Sequence, residues 1–352
     1  TMFVAWRELN FARGRFTLIA TVVAMLMVLV GFLSGLAAGL ASQNVSSVLG
    51  FKADQIVFAK PADGQKLSLS ESAVTREQFN TWKSASGVDT VRPLSVQQSK
   101  MSSPDASTTV ALMSSTRGKG TPAPNTDSSV AISQTAADEL GVKTGDTVTI
   151  SGNDFEVSAI TDDAWFSHTP AVWLSRDGWL KVDRSGDFAN VLLVDGSADW
   201  EAVNTSAATQ SASTLGSLSA IGSFTSEAGS LGMMVALLFA ISALVLSAFF
   251  TVWTMQRSAD IAVLKALGSS TKALLIDSLG QALVVLTAGI GVGLALVLGF
   301  GALASQVLPF VISPFTTLLP ALAMGVLGLA GVAFALKSIT KANPLSALGG
   351  NR

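Results

Sequence analysis

Residues 255–293 read MQRSADIAVLKALGSSTKALLIDSLGQALVVLTAGIGVG, a short charged segment between two long apolar ones. The spacing predicts a compact helix over residues 257–267. Arg257, Asp260 and Lys265 suit water, while Ile261, Leu264 and Leu267 recur at three-residue intervals and share one face. Gly268 follows at the place where such a helix stops, since glycine readily takes the left-handed cap conformation. Membrane, charged helix, membrane is the layout of a cytoplasmic coupling element, and equally of an ordinary loop.

Outward from this stretch the chain is poor in charge. Of 352 residues, 49% are hydrophobic and 13% charged, and mean hydropathy is +0.52; soluble proteins average about 25% charged. No Asp, Glu, Lys, Arg or His lies between Asp277 and Lys337. Four spans are expected, at residues 17–45, 225–254, 278–306 and 315–337, each long enough for a hydrocarbon core about 30 Å thick. Gly39-Leu40-Ala41 resembles a signal-peptide cleavage site, but the apolar run before it exceeds the usual 7–15 residues and reads as a retained helix. Residues 1–16, with Trp6, Phe16, Arg7, Arg13 and Arg15, read as an amphipathic helix on the cytoplasmic surface. Pro309 and Pro314 interrupt an uncharged connection at 307–314.

Basic residues set the orientation. They flank the first span (Arg7, Arg13, Arg15), fill the 255–277 segment (Arg257, Lys265, Lys272) and recur in the tail at 338–352 (Lys341, Arg352), and the 307–314 connection has none. Both termini and the coupling segment are therefore expected inside a cell membrane, and residues 46–224 outside. That outer block holds 20 of the 24 acidic residues. Alternating runs at 55–59, 108–113, 129–132, 147–151, 155–160, 171–174 and 189–194 predict strands, and 75–84 and 135–140 predict helices. The fold class is thus membrane α-helical with four spans and an inserted extracytoplasmic α+β domain. The Ser/Ala/Gly-rich segment 197–226 is expected to lead back as an amphipathic extension of the second span.

The residue inventory excludes most chemistry. There is no cysteine or tyrosine and one histidine, His168, so thiolate, zinc and nucleophilic sites lack candidates. No phosphate-binding loop is present; Gly268 through Lys272 lacks its spacing. No basic tract points to nucleic acid. The chain is not expected to be an enzyme or to hold a cofactor of its own.

Two motifs carry a resemblance. The run R-S-A-D-I-A-V-L-K-A-L-G-S-S, from Arg257, is similar to the R-x-x-E-I-x-x-L-[RK]-A-[LI]-G-A-[ST] signature of FtsX/MacB-type ABC-transporter permeases, with Asp260 in place of the usual Glu. The tail A-N-P-L-S-A-L, from Ala342, resembles the same family's closing motif. The segment AADELGVKTGDTVTI at 136–150 is similar to the family's outer module. The resemblance implies a type VII ABC-exporter-like permease, acting as a homodimer with a separate ATPase subunit that binds ATP and Mg. Arg257, Asp260, Ile261, Leu264, Lys265, Leu267 and Gly268 are then the ATPase-coupling residues. The small-xxx-small pairs Gly35/Gly39 and Gly289/Gly293 suit close helix contacts, within one chain or between two.

The cargo reading centres on Glu227, an ionisable group at the outer start of the second span. Such a group is a functional candidate; a helix N-terminal acid favoured by the macrodipole is the plain alternative. Leu231, Met233 and Met234 follow it, and a carboxylate beside soft methionines suits a flat metal-bearing ligand such as haem, with Glu227 on the iron. The usual haem ligands are His, Cys, Met and Tyr, of which this chain offers few. The run F-S-H-T-P-A-V from Phe166 resembles the F-S-H-T-P-V-V segment of haem-exporter permeases of the Hrt type, which implies extraction of haem from the membrane outer leaflet and its expulsion. His168 is open to three roles: a structural turn residue, a haem ligand, or a contact to the membrane region. Export of an antimicrobial peptide, antibiotic or lipid is the first alternative. A signalling permease that activates a cell-wall hydrolase is the second.

Overall fold

The computed structural model describes residues 13–115, 126–183, 185–256 and 270–340, with Pro122, Pro124, Val263 and Gly268 singly. In chain order, α1 (Arg13–Leu49) leads to β1 (Gln55–Ala59), α2 (Arg76–Ser84), β2 (Val88–Leu94), β3 (Val96–Ser102) and β4 (Ser107–Ser115). Then come β5 (Ser129–Ser133), α3 (Gln134–Leu140), β6 (Thr147–Ile150), β7 (Asn153–Thr161), β8 (Trp165–Phe166) and β9 (Thr169–Ser175). The chain closes with α4 (Arg176–Val182), β10 (Val191–Gly196), α5 (Trp200–Ala207), β11 (Thr209–Ala212), α6 (Gly222–Gln256), α7 (Thr271–Ala304) and α8 (Pro314–Thr340). Four of these helices, α1, α6, α7 and α8, are long and apolar enough to cross a membrane.

The chain forms two units, residues 40–229 and residues 1–39 with 230–352. In the first, β11-β1-β10-β2 make an antiparallel sheet. The order β4-β3-β6-β7-β5-β9 is closed into a ring by parallel pairing of β4 with β9, and β8 adds to β9. Alternation along strands sorts two cores, because successive side chains point to opposite faces. Val110 and Leu112 of β4 and Val172 and Leu174 of β9 join one cluster with Met101, Ile150 and Phe155. Their neighbours Ala111, Met113, Ala171 and Trp173 join another, with Ile56 and Phe58 of β1 and Val191 and Leu193 of β10. That second cluster also takes in Val45 and Val48 of α1, Ala220 and Ile221. The end of α1 and the entry to α6 are thereby fixed in the domain's own core.

In the other unit, Val23, Met27 and Val30 of α1 are buried with Leu246 and Phe250 of α6, Val285 and Leu286 of α7, and Met324 and Val332 of α8. Gly289 and Gly293 touch α1 of the same chain: a Cβ at Gly289 would lie 2.6 Å from Val23 Cβ, and one at Gly293 2.6 Å from Met27 Cβ. Gly35 lies against the Phe310 ring and Gly39 against the Pro309 carbonyl. Both small-residue pairs therefore serve packing within one chain.

Several expectations change. Segment 197–226 is no amphipathic extension: it contains α5, β11 and a 3-10 turn at Gly216–Ala220, and α6 starts only at Gly222. The strands β2 and β3 and the helices α4 and α5 were not anticipated. Helix α1 runs on to Leu49, and α7 starts at Thr271, where the Ser270 side chain accepts from Ala273 N. Lys272 and Asp277 therefore belong to the helix of the third span. The amphipathic segment 1–12, the tail motif, and Arg257, Asp260, Ile261, Leu264, Lys265 and Leu267 lie outside the described residues. Gly268 has φ +95°, the left-handed conformation expected of a helix cap.

Candidate functional site

Three segments far apart in sequence meet inside the 40–229 unit: the end of α1, the β8–β9 turn and the start of α6. The turn is a two-residue loop, Ser167-His168, between the pairs Phe166↔Thr169 and Trp165↔Pro170. Both loop residues have positive φ, +48° and +63°. That is the primed hairpin geometry, which normally selects Asn and Gly; side-chain-bearing residues adopt it at a cost of about 1 kcal/mol or more each. The surroundings hold the turn in place. Ser167 N donates to Asn44 O (3.1 Å) and His168 N to Gln43 O (2.9 Å), both on α1. Ser167 Oγ is 3.1 Å from Ser223 Oγ of α6, Gln98 Nε2 of β3 donates to Ser167 O, and Trp165 N donates to Ser46 Oγ.

This turn carries the single histidine onto Glu227. His168 Nε2 lies 2.7 Å from Glu227 Oε1, and with its proton on Nε2 the imidazole donates to the carboxylate. Asn44 Nδ2 donates to Glu227 Oε2 at 2.8 Å and lies 3.0 Å from His168 Nε2. The His168 and Glu227 side chains are 33% and 36% exposed, so the pair is accessible from outside the protein, and solvent screening keeps its energy modest. Asn44 is fully buried, and its Oδ1 has no hydrogen-bond partner among the described residues.

Glu227 is the sixth residue of α6 and the only charged residue in that 35-residue helix. It lies beyond the first turn of α6, and the first turn is where the macrodipole effect is strongest. Helical geometry sorts the other candidates. Leu231 and Met234, four and seven residues on, share Glu227's side of α6, and Met233 is turned about 120° away. Both methionines are exposed and Leu231 is half-buried.

Sequence reading missed Asn44. It is an uncharged polar residue at the end of an apolar run, and its only signal was its place beside Gln43, where the span's apolar character fades. His168 was noticed, but 59 residues separate it from Glu227, and only the docked turn joins them. Among the described residues no group of three or more His, Cys, Asp and Glu side chains could hold a metal ion. Elsewhere in the domain, burial holds the Arg176 guanidinium below its ordinary value, the Arg76 cation adds to this, and Asp177 and Asp183 oppose it. Both guanidinium groups sit over the Phe188 ring, at 4.5 and 4.9 Å, and arginine stays charged under such shifts.

Comparison with known proteins bears on the whole chain. Residues 19–210 match the MacB-like periplasmic core domain, and residues 232–344 match the FtsX-like permease C-terminal segment. Two proteins from strains of Staphylococcus epidermidis are 27% and 29% identical, over 100% of this chain and 100% of each of theirs. A protein from Staphylococcus haemolyticus is 27% identical over 99% of both chains. Each is named "Putative hemin transport system permease protein HrtB". Among solved structures, the periplasmic region of MacB from Actinobacillus actinomycetemcomitans is 14% identical with a TM-score of 0.33, covering 48% of this chain and 93% of that one. The extracellular domain of the noncanonic ABC-type transporter YknZ from Gram-positive bacteria is 16% identical with a TM-score of 0.32, covering 45% and 99%. The match to the periplasmic core domain spans more than half of the chain and the permease segment follows it in sequence, so the protein belongs to the MacB-like family as an FtsX-like ABC permease.

Proposed function

We propose that the chain is the permease subunit of an ATP-driven efflux pump that takes haem from the outer leaflet of the cell membrane and expels it. The observation that carries this reading is Glu227: one carboxylate at the head of a long uncharged helix, partly exposed and aimed by Asn44 and His168. An ionisable group at such a position is a functional-site candidate by default. End-to-end similarity to relatives named for hemin transport supports the choice of cargo.

In this reading Glu227 ligates the haem iron, and Leu231 and Met234 present apolar surface along the same side of α6. Met233 contributes from an adjacent face. The permease works as a homodimer with a dimer of ATPase subunits, which supply ATP and Mg. Both termini lie in the cytoplasm and the large domain outside, a reading that the placement of the basic residues supports. Haem enters laterally from the lipid between the first and second spans of two subunits. Closure of the ATPases is transmitted through Arg257, Asp260, Ile261, Leu264, Lys265, Leu267 and Gly268, and it narrows the haem site.

The test is ATP hydrolysis by the permease reconstituted with its ATPase subunit in liposomes. Haemin stimulates the wild type. Leu264→Glu removes the stimulation and leaves haemin binding intact. Stimulation by an antimicrobial peptide or a lipid, with none by haemin, would transfer the cargo to that class.

A further inference from the structure

Both oxygens of the Glu227 carboxylate are engaged, Oε1 by His168 Nε2 at 2.7 Å and Oε2 by Asn44 Nδ2 at 2.8 Å. A carboxylate that ligates a metal through one oxygen keeps hydrogen bonds on the other, which orient it. Each oxygen has a second lone pair, but one released from its hydrogen bond is the stronger donor to iron, and the two contacts differ in how readily they can be given up. Asn44 is buried on α1, and its amide is also tied to Leu40 O. His168 is about one-third exposed at the tip of a two-residue turn whose residues both have positive φ. Its side chain has room to leave without opening the core.

We infer that His168 is a displaceable positioning residue, holding Glu227 Oε1 in the empty state and surrendering it to the iron of the cargo. The inference rests on the haem reading above. On binding, Oε1 stops accepting a hydrogen bond and gives a lone pair to ferric iron; the imidazole N–H turns to solvent, and Asn44 keeps Oε2. Because Ser167 and His168 are also hydrogen-bonded through their backbones to α1, the outer domain's β8–β9 turn registers whether the site is filled.

Loss of the competing contact tightens binding. For a pair this exposed the gain is about fivefold, or about 1 kcal/mol. Because His168 is the only histidine in the chain, isotope-labelled histidine in the full-length permease, purified without a histidine tag, gives the signal of one imidazole. The probe is gallium(III) protoporphyrin IX, a diamagnetic stand-in for ferric haem. Saturation should move the imidazole nitrogen resonance to its position in probe-free Glu227→Ala, where the contact is gone. His168→Ala should bind haemin about fivefold more tightly with an unchanged Soret band, and His168→Gln, which keeps an N–H donor, should return toward wild-type affinity. An imidazole signal unmoved at saturation would overturn the inference alone. So would weaker binding by His168→Ala with a displaced Soret band, which would make His168 an iron ligand. Absence of saturable porphyrin binding by the wild type would overturn the haem reading, and this inference with it.

Discussion

Alanine at both Gly289 and Gly293 forces α7 away from α1. A Cβ at Gly289 would lie 2.6 Å from Val23 Cβ and 2.7 Å from Ala20 O, and one at Gly293 would lie 2.6 Å from Met27 Cβ and 2.7 Å from Ala24 O. Carbon atoms pack comfortably at about 3.5–4.0 Å, so the helices must separate by about 1 Å along two turns. The two carbonyl oxygens are backbone and cannot rotate away. Overpacking of this kind costs about 1–3 kcal/mol per site, and the better helix propensity of alanine offsets up to about 1 kcal/mol each. The pair should lose about 2 kcal/mol net, which at about 2–4 °C per kcal/mol lowers the unfolding midpoint by several degrees. With seven tryptophans, intrinsic fluorescence of the detergent-purified permease follows the transition. Gly291→Ala and Gly299→Ala are the controls, since nothing lies within 4 Å of a Cβ there, and both should leave the midpoint unchanged or slightly raised. A double variant no less stable than these controls would refute the packing of α7 on α1 through its glycines.

Other outcomes follow from the same packing and topology. Phe310→Ala should destabilise by about 3–5 kcal/mol, because the ring lies against Gly35 and Gly301 and 4.8 Å from the Phe32 ring; thermal unfolding of the purified permease reads this directly. The absence of cysteine provides a clean background for topology. Asp63→Cys and Val307→Cys should react with a membrane-impermeant maleimide added to intact cells, and Lys272→Cys only after lysis. The reverse pattern would invert the orientation. Trp82→Phe should cost about 1–3 kcal/mol, because it leaves the buried Thr209 hydroxyl without the 3.0 Å donation it now receives from the Trp82 indole; the midpoint of the same fluorescence transition would show it.

Legibility in the sequence followed how local each signal was. The four spans declare themselves because about twenty uncharged residues have few other uses. Strands with clean alternation, such as β1 with Ile56 and Phe58 on one face and Val57 on the other, were visible too. The polar strands β2 and β3, VDTVRPL and VQQSKMS, were not. Their stability comes from pairing with β10, β4 and β6, which no local window records. The parallel β4–β9 pairing that closes the ring joins residues about sixty apart and is equally hidden. The small-residue pairs were read as close contacts, but only the positions of Val23, Met27 and Phe310 show what they touch. At the site, Glu227 stood out because charge is rare there. Asn44 did not, because one amide at the end of an apolar run has no pattern, and its role depends on a turn more than 120 residues further on.

The most direct test of the central claim is a haemin titration of the detergent-purified permease, followed in the Soret region, for wild type and Glu227→Gln. Saturable binding by the wild type that is lost in Glu227→Gln is the expected result and identifies the carboxylate as the iron's ligand. Saturable binding that survives the substitution unchanged would contradict it, removing Glu227 from the iron and moving the ligand to Met233, Met234 or His168.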